Sequence, residues 1–317
     1  MKVIDHIQQA KKTLFSIEVL PPLKGQNIDA IFSTIDTLMP FEPAFVDVTY
    51  HREEVVFRDA GNGLLERQVV RKRPGTVGIC AAIMNRYSVD TVPHIICGGF
   101  SKEETENALI DLNFLGIDNV LLLRGDPIKS EGIFKPERNG HAYASDLIKQ
   151  VDSLNHGQYL DPDLNNSTQT NFCIGVAGYP EKHFEAPNMN SDLKRLKEKV
   201  DRGAEYIVTQ LFYDNRCFFE FEKKCRECGI TVPIIPGLKP ITSKSQLQIV
   251  PHFFHVNLPD ELVEQVDVAK TPEEVRQVGV DWCIQQSKEL MAAGVPVLHY
   301  YTMGKAEGVR KVAEAVF

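Results

Sequence analysis

Of the residues able to do chemistry, Glu18 is the most pointed. It lies between Ile17 and Val19 in residues 15–20, a run otherwise built for burial. A carboxyl desolvated there has its pKa raised and stays protonated near neutrality, as a general acid must. The plainer alternative is a buried glutamate paired with a cation such as Arg124 or Lys305. A second charged group closes the apolar run at 119–123, where Arg124, Gly125 and Asp126 follow at once. Asp126 either faces the same mouth as Glu18 or caps the next element. His94, within Val-Pro-His-Ile-Ile, is a core histidine or a site residue. Gln210, between Thr209 and Leu211, has four hydrogen-bonding positions, which suit a flat heterocycle.

Other chemistries are missing. No Gly-x-Ser-x-Gly elbow occurs and the histidines are not spaced as a helical metal pair, so neither a hydrolase nor a metal site is expected. Cys225 and Cys228 form a lone C-x-x-C at the end of a charged helical pattern. Without a second Cys or His pair at zinc spacing they read as reduced cysteines on a helix. Seven scattered cysteines do not make a disulfide framework.

To position these groups the chain alternates strand and helix. Strands are expected at 15–20, 45–50, 92–97, 119–123, 172–177, 206–212, 232–236 and 295–301. Helices are expected over 27–39, once or twice within 63–89 with a break at Pro74-Gly75, and over 102–115, where Ser101 and Glu104 form a capping box. Further helices are expected from Tyr143 onward, along Leu193, Leu196 and Val200, and over 214–228, 243–254, 271–293 and 305–316. Thr271 and Pro272 give the penultimate of these its N-cap and first residue. Eight strands, each followed by helix, predict an α/β fold of the closed (β/α)8 TIM barrel type, with a doubly wound open sheet as the alternative. At 317 residues the chain exceeds the about 250 typical of such a barrel. The surplus falls in loops at 127–142 and 156–171 and in an additional helix near 259–268. No linker divides it, so residues 1–317 read as a single barrel.

Barrel sites are built at strand C-termini. The polar residues there are Glu18, Thr49, Tyr50, His94, Arg124, Asp126, Tyr179, Glu181, His183, Gln210 and the stretch 239–246. With 35 Lys and Arg against 43 Asp and Glu, the net charge of −8 argues against nucleic acid and for a small-molecule partner. No apolar run approaches the about 18 residues a membrane span needs and no apolar leader follows Met1, so a cytoplasmic protein is expected.

Taken together, Phe15-Ser16-Ile17-Glu18 with Pro21-Pro22, Val48-Thr49-Tyr50, Pro93-His94, Leu123-Arg124-Gly125-Asp126, Tyr143-Ala144-Ser145-Asp146, Tyr179-Pro180-Glu181 with His183, Thr209-Gln210-Leu211-Phe212 and Pro236-Gly237 resemble the methylenetetrahydrofolate reductase family. The likeness runs in order along nearly the whole chain. It implies a catalytic barrel without a regulatory domain, in which NAD(P)H reduces FAD and leaves, and reduced FAD converts 5,10-methylenetetrahydrofolate to 5-methyltetrahydrofolate for methionine synthesis. A homo-oligomer is compatible with it. Glu18 would be the acid that protonates the leaving folate nitrogen, and Asp126 a charge shared by flavin and pterin. Thr49, Tyr50, His94, Leu123, Arg124, Gly125, Asp126, Tyr143, Ala144, Tyr179, His183, Ala186, Asp192 and Lys199 would hold FAD. Gln210, Gln246 and Lys305 would hold the folate.

The chain departs from the family's bacterial pattern at three places. Val250 aligns with an aromatic that stacks on nicotinamide and folate, Gly304-Lys305 replaces Asn-Arg, and Arg195 and Glu198 stand where FAD contacts often occur. Two other readings are therefore carried forward. Another flavin barrel, such as a proline dehydrogenase-like oxidase, would need paired arginines to clamp a carboxylate, and none are found. A flavin- or folate-binding barrel with a different electron donor, or a non-catalytic partner role, is the remaining one.

Overall fold

Along residues 14–19, Phe15, Ile17 and Val19 join the core beneath the helices, while Ser16 and Glu18 point the other way. This period of two is what a strand between a helical layer and a barrel interior requires. The computed structural model describes residues 1–128 and 132–317. In chain order its strands are β1 (Leu14–Val19), β2 (Phe45–Val48), β3 (Glu54–Gly61), β4 (Leu64–Val70), β5 (Asp90–Ile96), β6 (Asn119–Leu123), β7 (Cys173–Gly178), β8 (Tyr206–Thr209), β9 (Ile234–Ile235), β10 (Gly237–Leu238) and β11 (Val297–Tyr301). The helices are α1 (Val3–Gln9), α2 (Asp29–Leu38), α3 (Thr76–Tyr87), α4 (Lys102–Phe114), α5 (Ala144–Asn155), α6 (Met189–Asp201), α7 (Asn215–Glu227), α8 (Gln246–Phe254), α9 (Asp260–Val268), α10 (Pro272–Ala292) and α11 (Ala306–Val316).

All strands except β3 and β4 form one parallel sheet in the order β10-β11-β1-β2-β5-β6-β7-β8-β9. The strand expected at 232–236 is divided at Pro236, which has no N–H to give a ladder. Its halves β9 and β10 pair with β8 and β11 respectively, so the sheet closes into the expected (β/α)8 barrel. Phe45, Val92, Leu121, Cys173, Tyr206, Val208, Ile235 and Val297 fill the interior. At the N-terminal end α1 plugs it: Val3 is buried in that cluster, its N–H donates to Asn119 Oδ1 at 2.9 Å, and Asn119 Nδ2 donates to the Met1 carbonyl at 3.0 Å. The opposite end stays open.

The caps read from sequence are present. Ser101 Oγ accepts the Glu104 N–H, and Glu104 Oε2 accepts the Ser101 N–H at 2.8 Å. Thr271 Oγ1 accepts the Glu274 N–H, with Pro272 as the first helical residue. The additional helix expected near 259–268 is α9; with α8 it packs Val250, Val256, Leu262 and Val266 against Leu211 and Tyr213 at the rim. The loops expected at 127–142 and 156–171 have no helix or strand in their described parts, and residues 129–131 lie outside the described residues.

One expectation is overturned and one helix was not foreseen. Residues 54–70, of which 64–70 were assigned to helix, form an antiparallel hairpin of β3 and β4. It turns on Asn62 and Gly63, both at positive φ (54° and 74°), the backbone of a tight primed turn. Helix within 63–89 is confined to α3, which starts just after Pro74-Gly75. The α1 plug is the helix missed. Among the described residues no helix is long and apolar enough to cross a membrane.

Candidate active site

The parallel register brings the strand C-termini to one level, with Glu18 opposite both Asp47 and Tyr301, and Ile96 opposite Leu123. Above them opens a cleft of about 1120 Å³. Its floor is Glu18, His94, Leu121, Leu123, Ala177, Val208 and Tyr301, and its walls come from the loops that follow. Thr49, Tyr50, Arg124, Gly125, Asp126, Tyr143, Ala144, Tyr179, His183, Asp192, Lys199 and Gln210 all line it. Ala186 does not: it is buried behind the wall, its carbonyl accepting Lys182 Nζ at 2.8 Å. Gln246 and Lys305 also lie outside. Gln246 Oε1 accepts the Thr242 N–H at 2.6 Å, and Lys305 is the N-cap position of α11.

At the floor, Glu18 is 12% exposed and points at His94, whose Nε2 lies 3.7 Å from Glu18 Oε2. Neither Arg124 nor Lys305 pairs with it; the partner is an imidazole. Burial pushes the Glu18 carboxyl up to about 7, with His94 opposing and the Asp47 charge reinforcing the rise. The acid proposed from sequence is thus shifted toward its protonated form near neutral pH. Burial also lowers the pKa of His94, against the pull of Glu18, so the ring is held neutral.

On the wall, Arg124 meets Glu185 through two parallel hydrogen bonds of 2.6 and 2.8 Å and lies over the Phe134 ring at 5.0 Å. Gly125 has φ +84°, and a Cβ there would come within 3.2 Å of Ile96 Cδ1, so a larger residue would be strained and crowded against β5. Tyr179 stands edge-on to His183, ring centroids 4.7 Å apart, and Asp192 Oδ2 accepts the His183 N–H at 2.8 Å. Lys199 is held by the Ala177 carbonyl at 2.6 Å, and burial lowers its pKa to about 8 against the Asp192 charge. Gln210 Oε1 accepts the neighbouring Leu211 N–H at 2.9 Å.

A family model described as methylenetetrahydrofolate reductase matches residues 2–316. The chain belongs to the methylenetetrahydrofolate reductase family. The 5,10-methylenetetrahydrofolate reductase of Escherichia coli is 31% identical over 293 residues, covering 92% of this chain and 86% of that one. Methylenetetrahydrofolate reductase (NADH) 1 of Zea mays is 34% identical over 316 residues, with 96% of this chain matched to 48% of it. A probable methylenetetrahydrofolate reductase (NADPH) of Caenorhabditis elegans is 29% identical, covering 99% of this chain and 43% of that one. The chain thus spans about half the length of such plant and worm relatives. Among solved structures, an uncharacterized protein from Clostridium thermocellum that binds two copies of 5-methyl-5,6,7,8-tetrahydrofolic acid superposes with a TM-score of 0.59 at 14% identity, over 99% of this chain and 98% of that one, which establishes the shared fold.

Against the reductase-family motifs read from sequence, the structure adds residues that were not singled out. Asp47 is 1% exposed and reaches the same His94 nitrogen at 3.3 Å; burial pushes its pKa up to about 7, with His299 opposing. Its signal was available: Val46-Asp47-Val48 repeats the Ile17-Glu18-Val19 pattern. Glu185, the partner of Arg124, and Phe254, which lines the cleft, were also not chosen. Val250, by contrast, is buried in the rim cluster and presents no face to a ligand.

Proposed function

We propose that the protein reduces 5,10-methylenetetrahydrofolate to 5-methyltetrahydrofolate through FAD bound in the cleft, with NAD(P)H as the reductant, and that residues 1–317 carry both half-reactions. The observation that carries this reading is a buried glutamate, Glu18, facing His94 at the floor of a large barrel-mouth cleft, in a chain of this family. FAD bound there would supply the hydride, taken from the nicotinamide and passed to the methylene carbon. The cleft suits such a group: it is large enough, one wall offers Arg124, Arg195, Lys199 and Arg202 for phosphates, and Gly125 leaves room for a flat ring. Arg124 must exchange part of its Glu185 pairing to contribute.

The chain's own residues then divide the work. Glu18 Oε–H protonates the departing folate nitrogen, so that the five-membered ring opens to an iminium able to accept hydride. His94, kept neutral by burial, leaves the proton on Glu18 instead of quenching the acid with a fixed positive charge. Asp126 and Gln210, which follow β6 and β8, would hydrogen-bond the pterin. Phe254, four residues beyond Val250, lines the cleft and would offer an aromatic face to a nicotinamide.

Glu18→Gln separates the half-reactions. Anaerobic reduction of bound flavin by NAD(P)H should persist within about twofold, while reoxidation by methylenetetrahydrofolate should slow by 10²-fold or more, in line with general-acid contributions. Equal losses in both halves would remove Glu18 from the acid role. A preparation that takes up no FAD would remove the reading altogether.

A further inference from the structure

Asp47 has no part in the steps above, yet it lies one strand from Glu18 and directly opposite it in the register of β1 and β2. It points into the barrel interior beneath the cleft. His94 reaches it from β5, and from β11 comes His299, which is fixed by a 2.9 Å hydrogen bond between Nδ1 and Ser16 Oγ of β1. Tyr206 of β8, Tyr301 of β11 and Cys80 of α3 are the other titratable groups that feel its charge. Asp47 Oδ1, His299 Nε2 and the Tyr206 hydroxyl have no hydrogen-bond partner among the described residues. Polar atoms left unpaired in a protein interior are costly, so their retention asks for a reason.

The reason lies in how many charges this interior can hold. Two carboxylates address one imidazole nitrogen, and that nitrogen carries at most one hydrogen. Asp47 is the nearer claimant, at 3.3 Å against 3.7 Å for Glu18. Two carboxylates sharing a desolvated site cannot both ionise without strong repulsion. One negative charge is therefore divided between them. Asp47 is the carboxylate within hydrogen-bond distance of His94 Nε2, whereas Glu18 faces the cleft and the substrate nitrogen.

Resting on the reductase reading, we propose that Asp47 is a positioning residue for the acid step: it takes the single negative charge and the His94 N–H, and so leaves the proton on Glu18. The proton that reaches the folate nitrogen comes from Glu18 alone, and Asp47 contributes no atom to the reaction. Its effect is to keep the acid loaded at a pH where an ordinary carboxyl would be ionised. The charge of Asp47 raises the Glu18 pKa, the direction the acid step requires, while burial raises Asp47 itself.

Asp47→Asn removes the charge at nearly constant volume. In rapid mixing between pH 6 and 9, reoxidation of the NAD(P)H-reduced flavin by methylenetetrahydrofolate should lose rate as pH rises through the Glu18 midpoint. In the variant that midpoint should fall by about one pH unit, making the rate above it about tenfold lower relative to the acid plateau. The profile of flavin reduction by NAD(P)H should show no matching displacement. A pH-independent drop in both half-reactions, with the midpoint unmoved, would assign Asp47 a purely structural role and overturn the proposal. Failure of wild-type reduced flavin to be reoxidised by methylenetetrahydrofolate at any pH would instead overturn the reductase reading and this proposal with it. Should Asp47→Asn fail to fold, infrared titration of Glu18→Gln serves: the carboxylate band that appears first in wild type must persist in the variant, and its disappearance would place the charge on Glu18.

Discussion

Gly125 shows how one residue type can be forced by its surroundings. Its φ of +84° is left-handed, and an added Cβ would press on Ile96 across the β5–β6 register. An alanine there costs backbone strain of about 1–3 kcal/mol and crowds a methyl against Ile96. Gly125→Ala should weaken FAD binding at least tenfold by fluorescence titration of the stripped protein, with the thermal midpoint of that stripped protein lowered as well. Unchanged FAD affinity would mean that the cofactor does not pass along this backbone. The neighbouring Arg124 is a different case. Its two hydrogen bonds to Glu185 hold the guanidinium in a planar fork that lysine cannot copy.

At the scale of elements, the β3–β4 hairpin is an appendage. It pairs only with itself, and Phe57 and Leu65 on it are 59% and 68% exposed. A two-stranded ribbon of this kind adds little to the stability of the barrel beneath. Shortening it by joining Phe57 to Arg67, which face each other across the ribbon, through Asn-Gly should shift the thermal midpoint by less than about 2 °C. A drop of 5 °C or more would show that the hairpin is coupled to the barrel core.

This hairpin is also where the sequence was misread, and the cause is physical. Residues 54–70 carry charges on both faces, so alternation is blurred, and only Asn62-Gly63 marks the turn. Helix α1 was passed over because seven residues give two turns, too short for periodicity to register; its order comes from Val3 and Asn119, a contact between positions far apart in sequence. The barrel strands were legible because both sides of each are covered, and the capped helices because a cap is a local hydrogen bond. Within the cleft, Glu18, Thr49, Arg124, Asp126, Tyr179 and Gln210 sit at or just past strand ends, which can be read from sequence, whereas Asp192 and Lys199 lie on α6 and rest on the family likeness. Asp47 was readable by the rule applied to Glu18, but its meaning depends on His94 and His299 reaching it from two other strands. Gln246 and Lys305, which the family likeness implies as folate contacts, do not line the cleft: Gln246 bonds the Thr242 N–H, and Lys305 stands at the N-cap position of α11.

For the whole molecule, the buried polar interior sets how stability varies with pH. Glu18 and Asp47 have folded pKa values raised from 4.5 and 3.8 to about 7, so between those limits the folded protein binds more protons than the unfolded chain. Stability therefore falls as pH rises through that window and stays reduced above about 7. Buried His94 and His299 act in the opposite sense: their folded pKa values lie below 6.5, so stability is lost as pH falls below that value. Carboxylates such as Glu185, lowered chiefly by its hydrogen bonds to Arg124, add a further loss at still lower pH. The two trends oppose each other below pH 6.5, and between 6.5 and about 7 only the carboxyl loss continues. The Glu18 contribution can be isolated, because Gln resembles the protonated acid. Glu18→Gln should be nearly neutral at about pH 4 and stabilising at pH 8.5, by about 1–3 kcal/mol after discounting partial exposure, which is a rise of a few degrees in thermal midpoint. A variant equally stable relative to wild type at both pH values would show that Glu18 is ionised and well solvated in the folded protein, and the acid role would lose its physical basis. The expected gain in stability alongside a loss of turnover is what a carboxyl kept buried for chemistry, at a cost to the fold, would produce.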